Sequence, residues 1–169
     1  MPEIVASPRL APNDPRLDAW RTFLTAHARL VRRLDDELRA EHGLSLAEYE
    51  TLLHLASTRH RRLRMHELAE RVLLSRSGTT RLIDRLEANG LVERCACTSD
   101  GRGAEAELTA TGLARLRAAS ATHLRGIDSY FLGVIPPDDL GVVERSLGGV
   151  ASRVAACRPG TPWTEADDA

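Results

Sequence analysis

Apolar residues return along the first long segment at Trp20, Leu24, Val31, Leu34 and Leu38, with His27 standing in the same series. The intervals of 4, 3, 4, 3 and 4 make a heptad seam, which Phe23 and Leu30 widen. Near the other end Leu140, Val143, Leu147, Val150 and Val154 repeat at 3, 4, 3 and 4. A helix with such a seam is stable only against another helix, because the stripe must leave water. Seams at both ends of the chain therefore predict a dimer whose terminal helices pair with those of a second copy. Leu24, Val31, Leu34, Val143, Leu147 and Val150 are the expected dimerisation residues.

The segment between the seams has a different rhythm. Gly43 ends the first helix, and Ser45 opens the next, "SLAEYETLLHLAS", with Glu48 at capping-box spacing. The basic connector "TRHRRLRM" has room for one short strand at residues 63–65. A short helix follows in "MHELAERVLL", with Leu68, Ala69 and Val72 inward. Ser75 then caps "RSGTTRLIDRLEA", closed by Gly90. Two strand-like runs, "LVERCAC" and "AEAELT", flank "TSDGRG", whose Asp100-Gly101 pair is a hairpin signal. Helix, short turn, helix and β-hairpin together describe a winged helix-turn-helix. A long helix carrying Leu113, Leu116, Leu124, Ile127 and Phe131 on one side comes next, until Pro136-Pro137 interrupts it. Asp138 and Asp139 suit the start of the last helix.

The fold class is thus mostly α with a small β-wing: a winged helix-turn-helix core flanked by N- and C-terminal dimerisation helices. The expected divisions are a flexible arm over 1–15, a dimerisation helix over 16–43, the winged helix over 44–112, C-terminal dimerisation helices over 113–156 and an acidic tail over 157–169. The arm is read from four prolines with little periodicity.

Charge points to the partner. The net formal charge is −1, but residues 59–102 hold ten Arg against six acids, while the remainder holds 13 Arg against 18 acids. There is no Lys. Arginine forks onto phosphate and guanine edges, although a GC-rich coding sequence also produces an all-arginine cation set, so placement carries the argument. A helix entering a major groove must present short polar or forked side chains near its N-terminus. Ser75, Arg76, Ser77, Thr80 and Arg81 meet that requirement, and Ser75 has capping as its other role. Arg85 lies one turn further on, where phosphate, Asp84, Glu87 or a wing acid are all open to it. Arg102 follows the hairpin turn at a place suited to a minor groove, with Asp100 positioned to orient it.

In order and spacing, "LSLAEYETLLHLAS", "ELAERVLLSRSGTTRLIDRLEANGLVER" and "SDGRGAEAELTATG" resemble the core of the MarR family of bacterial transcriptional regulators. The resemblance covers roughly residues 20–155. It implies a homodimer in which two winged helices address double-stranded DNA, commonly at an inverted repeat. It also implies repression relieved by a small effector, often aromatic, or by an oxidant. The same resemblance gives Asp100 and Arg102 the wing role; Gly101 and Gly103 beside Arg102 leave this wing with fewer charges than is usual. An effector pocket is expected where dimer helices meet the winged helix, with Trp20, His27, Tyr49 and His54 as lining candidates.

Other classes find little support. Cys95, Cys97 and Cys157 form no disulfide framework, and one C-x-C pair is a weak zinc signal. Redox-sensing relatives carry a cysteine in the first helix, which is absent here, so a thiol sensor at Cys95 or Cys97 is a secondary reading. A winged helix serving only protein contacts is another. The six histidines show no metal-ligand spacing, and no phosphate loop or nucleophile elbow is present, so no enzyme, metal or cofactor is expected. No apolar run reaches the ~20 residues of a membrane helix, and no signal pattern precedes the first helix. A cytoplasmic protein without membrane contact is expected.

Overall fold

The structure is a computed structural model that describes residue 11, residues 13–96 and residues 104–156. The wing tip with Cys97, Asp100 and Arg102, most of the N-terminal arm and the tail from Cys157 lie outside the described residues. The chain divides into two units, one running to Gly126 and one from Ile127.

In the first unit, α1 spans Arg16–His42. It ends where Gly43 turns left-handed at φ 65°, its N–H bonding to Arg39 O, a conformation in which a Cβ would be strained. Helix α2, Leu46–Ala56, carries the complete capping box that Ser45 and Glu48 foretold: Glu48 N–H donates to Ser45 Oγ at 3.2 Å, and Ser45 N–H to Glu48 Oε2 at 2.8 Å. Strand β1 is Arg62–Arg64 and leads directly into α3, Met65–Arg71. Helix α4, Arg76–Ala88, and strands β2, Val92–Ala96, and β3, Ala104–Leu108, complete the winged helix. The sheet is antiparallel in the order β1-β3-β2. The hairpin of the sequence is thus a three-stranded sheet, because the connector strand pairs Leu63 with Ala106. Leu52, Leu55, Leu68, Leu82, Ile83, Leu86 and Val92 form a fully buried aliphatic core beneath the strands.

The first seam is divided in two. Leu34 and Leu38 are buried within the chain, Leu34 at 6% exposure. Leu34 is therefore a residue of the subunit's own core rather than of a dimer face. The cause is length: the 11-residue α2 covers only the end of the 27-residue α1. Asp35 Oδ1 marks the junction by accepting Leu46 N–H at 2.8 Å. Upstream, Trp20, Phe23, Leu24 and Val31 stay exposed.

Helix α5, Ala110–Ile127, buries Gly112, Leu116, Ala119, Thr122 and Gly126. Leu116 lies on the expected face, but Leu124 of the same stripe does not. Leu124 is 61% exposed, and the small residues bring α5 close to its neighbours instead. Thr122 Oγ1 donates to Glu41 Oε2 at 2.7 Å and stands 2.8 Å from His42 Nε2, and Arg125 Nη2 reaches the same Glu41 oxygen at 3.1 Å. These bonds moor α5 to the end of α1.

His123 stands beside this mooring, its ring centroid 4.5 Å from that of Tyr49. Its Nδ1 is buried without a hydrogen-bond partner among the described residues. Burial pushes its pKa below the usual 6.5. The folded state thus resists protonation that the unfolded chain accepts. Stability is complete above pH 6.5 and declines as pH falls below it. Urea midpoints of His123→Phe are expected to fall less on acidification than those of the parent; equal slopes would refute the assignment.

In the second unit a π-turn, Asp128–Leu132, precedes α6, Pro137–Ala156. The sequence periodicity treats residues up to Phe131 as one α-helix and does not reveal this turn. Proline occupies the first position of α6, where no N–H is missed. No residue of α6 is buried: Val142, Leu147, Val150 and Val154 are exposed and Val143 is half-buried.

Candidate nucleic-acid interface

The turn between α3 and α4 sets the position of the candidate reading head. Leu74 N–H returns to Ala69 O at 3.2 Å, and Leu73 takes a left-handed backbone at φ 54° with its side chain in solvent. A non-glycine residue in that conformation costs roughly 1–2 kcal/mol, so the tight turn is held by the packing of the helices it joins. Ser75 then caps α4, accepting Gly78 N–H at 3.1 Å, and Ser77 Oγ lies 3.2 Å from Ser75 Oγ.

Helix α4 has two faces. Thr79, Leu82, Ile83 and Leu86 are buried. Ser75, Arg76, Ser77, Thr80 and Arg81 are exposed, so the structure collects these five expected contact residues on one surface. The Thr80 hydroxyl donates to Arg76 O at 3.0 Å, and the residue is exposed. Among the described residues Arg76 and Arg81 form no ion pair, leaving both guanidinium groups available. An open depression of about 840 Å³ adjoins this surface; Met65, Ala69 and Leu74 supply apolar walls, and Ser75, Arg76 and Thr80 a polar one.

Arg85 faces elsewhere. Its Nε donates to Glu48 Oε1 of α2 at 3.2 Å. Burial raises the Glu48 carboxyl, but the Ser45 and Arg85 hydrogen bonds outweigh it and hold the group below its usual pKa. Of the roles open to Arg85, the chain thus uses an ion pair, and with an acid that the sequence reading did not consider. Asp84 and Glu87 belong to Arg94 of β2. Arg94 Nη2 reaches Asp84 Oδ1 at 2.6 Å and Thr80 O at 3.3 Å, while Nη1 binds Glu87. The hydrogen bond to Asp84, chiefly, raises the Arg94 pKa further. No local pattern signals this fork, because it joins a strand residue to a helix face ten positions earlier.

The basic connector is divided as well. Arg62 is committed to Glu107 and lies 3.7 Å from Glu105. Pairing of Arg62 with Glu107 puts the loop of Arg59, His60 and Arg61 at the Leu108 end of β3, whereas Arg64 pairs with Glu105 and borders the depression. Cys95 donates its thiol to Glu107 Oε2 at 3.3 Å, and burial, then this carboxylate, push its pKa up. A thiol kept protonated reacts slowly with oxidants, so Cys95 lacks the character of a sensor. Cys97, Asp100 and Arg102 lie outside the described residues.

The four lining candidates for an effector are not gathered in one subunit. Tyr49 is buried, with its hydroxyl 3.3 Å from Ser120 Oγ. Trp20 lies 15 residues along α1 from Asp35, which contacts the start of α2; that is roughly 22 Å of helix. His27 is linked to Trp20 only through Phe23, with ring centroids 6.0 Å apart at each step. His54 is half-buried five positions further along α2 than Tyr49.

Comparison with known proteins agrees with this geometry. A sequence profile of the MarR family matches residues 42–103. The HTH-type transcriptional repressor YetL of Bacillus subtilis is 34% identical over 90 residues, covering 53% of this chain and 54% of that repressor. The chain thus matches about half the length of this curated relative. The structure is similar to AbsC, a MarR family transcriptional regulator from Streptomyces coelicolor, with a TM-score of 0.82 and 31% identity over 88% of this chain and 99% of that one. It is also similar to Sco3205 of the same organism, a MarR family regulator solved in complex with DNA, with a TM-score of 0.78 and 34% identity over 88% of this chain and 90% of the other. With the Ser75-capped helix α4, the three-stranded sheet and identity above 30% across nearly the full length of solved regulators, this chain belongs to the MarR family of transcriptional regulators.

Proposed function

We propose that the chain is a homodimeric, effector-released repressor that binds double-stranded DNA at an inverted repeat. The observation that carries the reading is the exposed first half of α4, where Arg76 and Arg81 stand unpaired among the described residues beside Ser75, Ser77 and Thr80. Those residues address the major groove, and Arg102 of the wing addresses the minor groove with Asp100 orienting it. Arg85 is left to its ion pair with Glu48. The DNA complex of Sco3205 supports the reading.

The dimer is supported by apolar surface with no cover in one subunit. Trp20 is 53% exposed, with Leu24 and Val31 on the same seam, and Leu147 and Val150 of α6 are exposed too. Two reading heads held by these helices meet half-sites one helical turn apart, ~10 base pairs. An effector pocket drawing on Trp20, His27, Tyr49 and His54 takes residues from both subunits, given their separation in one. A small aromatic molecule seated there releases DNA only by binding unequally to two spacings of the heads.

The test is a titration by fluorescence anisotropy of the purified protein into duplex DNA flanking its own gene. Affinity is expected to fall on the order of a thousand-fold between about 50 and 200 mM salt, because phosphate neutralisation releases counterions. Light scattering is expected to give twice the 18.5 kDa mass of the chain. A flat salt dependence or no duplex binding favours a protein-interaction module instead, and a monomer that still recognises its site refutes the dimer.

A further inference from the structure

Helix α4 carries two acids, Asp84 and Glu87, and both stand on the face that also holds Thr80, at positions one and two turns further on. A bare carboxylate so near a groove contact repels phosphate, at an energy set by the separation and the local dielectric. Neither carboxylate is bare. Arg94, only 29% exposed at its side chain, spans them with Nη1 on Glu87 and Nη2 on Asp84, and Nη2 also reaches the Thr80 carbonyl. Arg94 N–H donates to Glu87 Oε1 at 3.2 Å. One side chain from the root of the wing thus satisfies the last two turns of the reading helix.

We propose that Arg94 is a positioning residue for DNA reading that also masks charge: it fixes the Thr80 face of α4 against β2 and halves the net negative charge of the two carboxylates that would oppose the phosphate backbone. The inference rests on the reading of α4 as a DNA contact. Arg94 itself touches no DNA in this account, since its fork is filled by protein oxygens. A geometry-only role and a charge-masking role predict different responses to neutralising the acids, and that difference separates them.

The experiment measures binding of the duplex flanking the gene by the parent, by Arg94→Gln, and by Arg94→Gln combined with Asp84→Asn and Glu87→Gln. Thermal unfolding of each variant is followed in parallel. Arg94→Gln is expected to weaken binding at least ten-fold at low salt, with the loss shrinking as salt rises and screens the exposed acids. The triple variant is expected to return to within about three-fold of the parent, since amides can refill the same hydrogen bonds without repelling phosphate. Unchanged binding by Arg94→Gln refutes the proposal. A triple variant as weak as the single one also refutes it, because Arg94 would then act on DNA directly or through geometry alone. If the parent binds no duplex, the DNA reading itself fails, an outcome distinct from both.

Discussion

Gly112→Ala is expected to destabilise the first unit by about 3 kcal/mol, at or above the upper end of ordinary overpacking. A Cβ at Gly112 would stand 2.0 Å from Leu91 O and 2.8 Å from Leu108 Cδ1. Leu108 can change rotamer, but Leu91 O is backbone and is already engaged. Thr109 N–H donates to it at 3.2 Å, and the Thr109 hydroxyl lies 3.1 Å from it and 2.8 Å from Gly90 O. Thr109 Oγ1 in turn accepts Gly112 N–H at 2.9 Å, so the start of α5 is bonded to the start of β2 through one threonine. Relief of the clash requires α5 to withdraw and that set of bonds to stretch. A loss of this size is a large part of the 5–15 kcal/mol that holds a typical domain together. The urea midpoint of Gly112→Ala should fall accordingly, and a midpoint within experimental scatter of the parent would show that α5 does not dock as described.

The double substitution Arg76→Ala with Arg81→Ala is expected to weaken duplex binding by on the order of a hundred-fold while leaving stability within about 0.5 kcal/mol. Both side chains are exposed and unpaired among the described residues, so their loss removes no contact within the protein. A forked contact to a base or to phosphate is worth about 1–3 kcal/mol, and two such losses multiply. Arg85→Ala is the internal control. Its guanidinium serves Glu48, and its removal should change affinity less than three-fold at a modest cost in stability, because the largely buried Glu48 keeps its Ser45 hydrogen bonds. Comparable losses for Arg85→Ala and for the double variant would mean that the reading surface extends along the whole helix. Unchanged binding by the double variant would place DNA elsewhere.

Much of the fold is legible in the residues because its signals are local. The capping box of Ser45 and Glu48, the Ser75 cap, the helix end at Gly43 and the acids Asp138 and Asp139 in the first turn of α6 are all read within one turn of chain and all stand in the structure. The exposed surface of the first half of α4 is legible for the same reason, since residues 75–81 are contiguous and a single buried face forces the rest outward. The seam of α1 is only half legible. Its period is uniform from Trp20 to Leu38, yet the partner changes at Leu34, because a heptad repeat records that a helix needs a neighbour and not which neighbour it has. The stripe of α5 holds at Leu116 but fails at Leu124, because the rest of its buried side is marked by the small residues Gly112, Ala119, Thr122 and Gly126.

The amino-acid sequence by itself determined the order of elements, the Ser75-capped helix α4 and the concentration of arginine around it, since these depend on spacings of a few residues and on side-chain type. Tertiary structure alone decided which arginines remain free. Arg62, Arg85 and Arg94 have the same chemistry as Arg76 and Arg81, but folding brings acids from distant strands and helices against the first three and none of the described acids against the last two. Ion pairing depends on distance in space, and chain spacing carries no record of which acid will arrive.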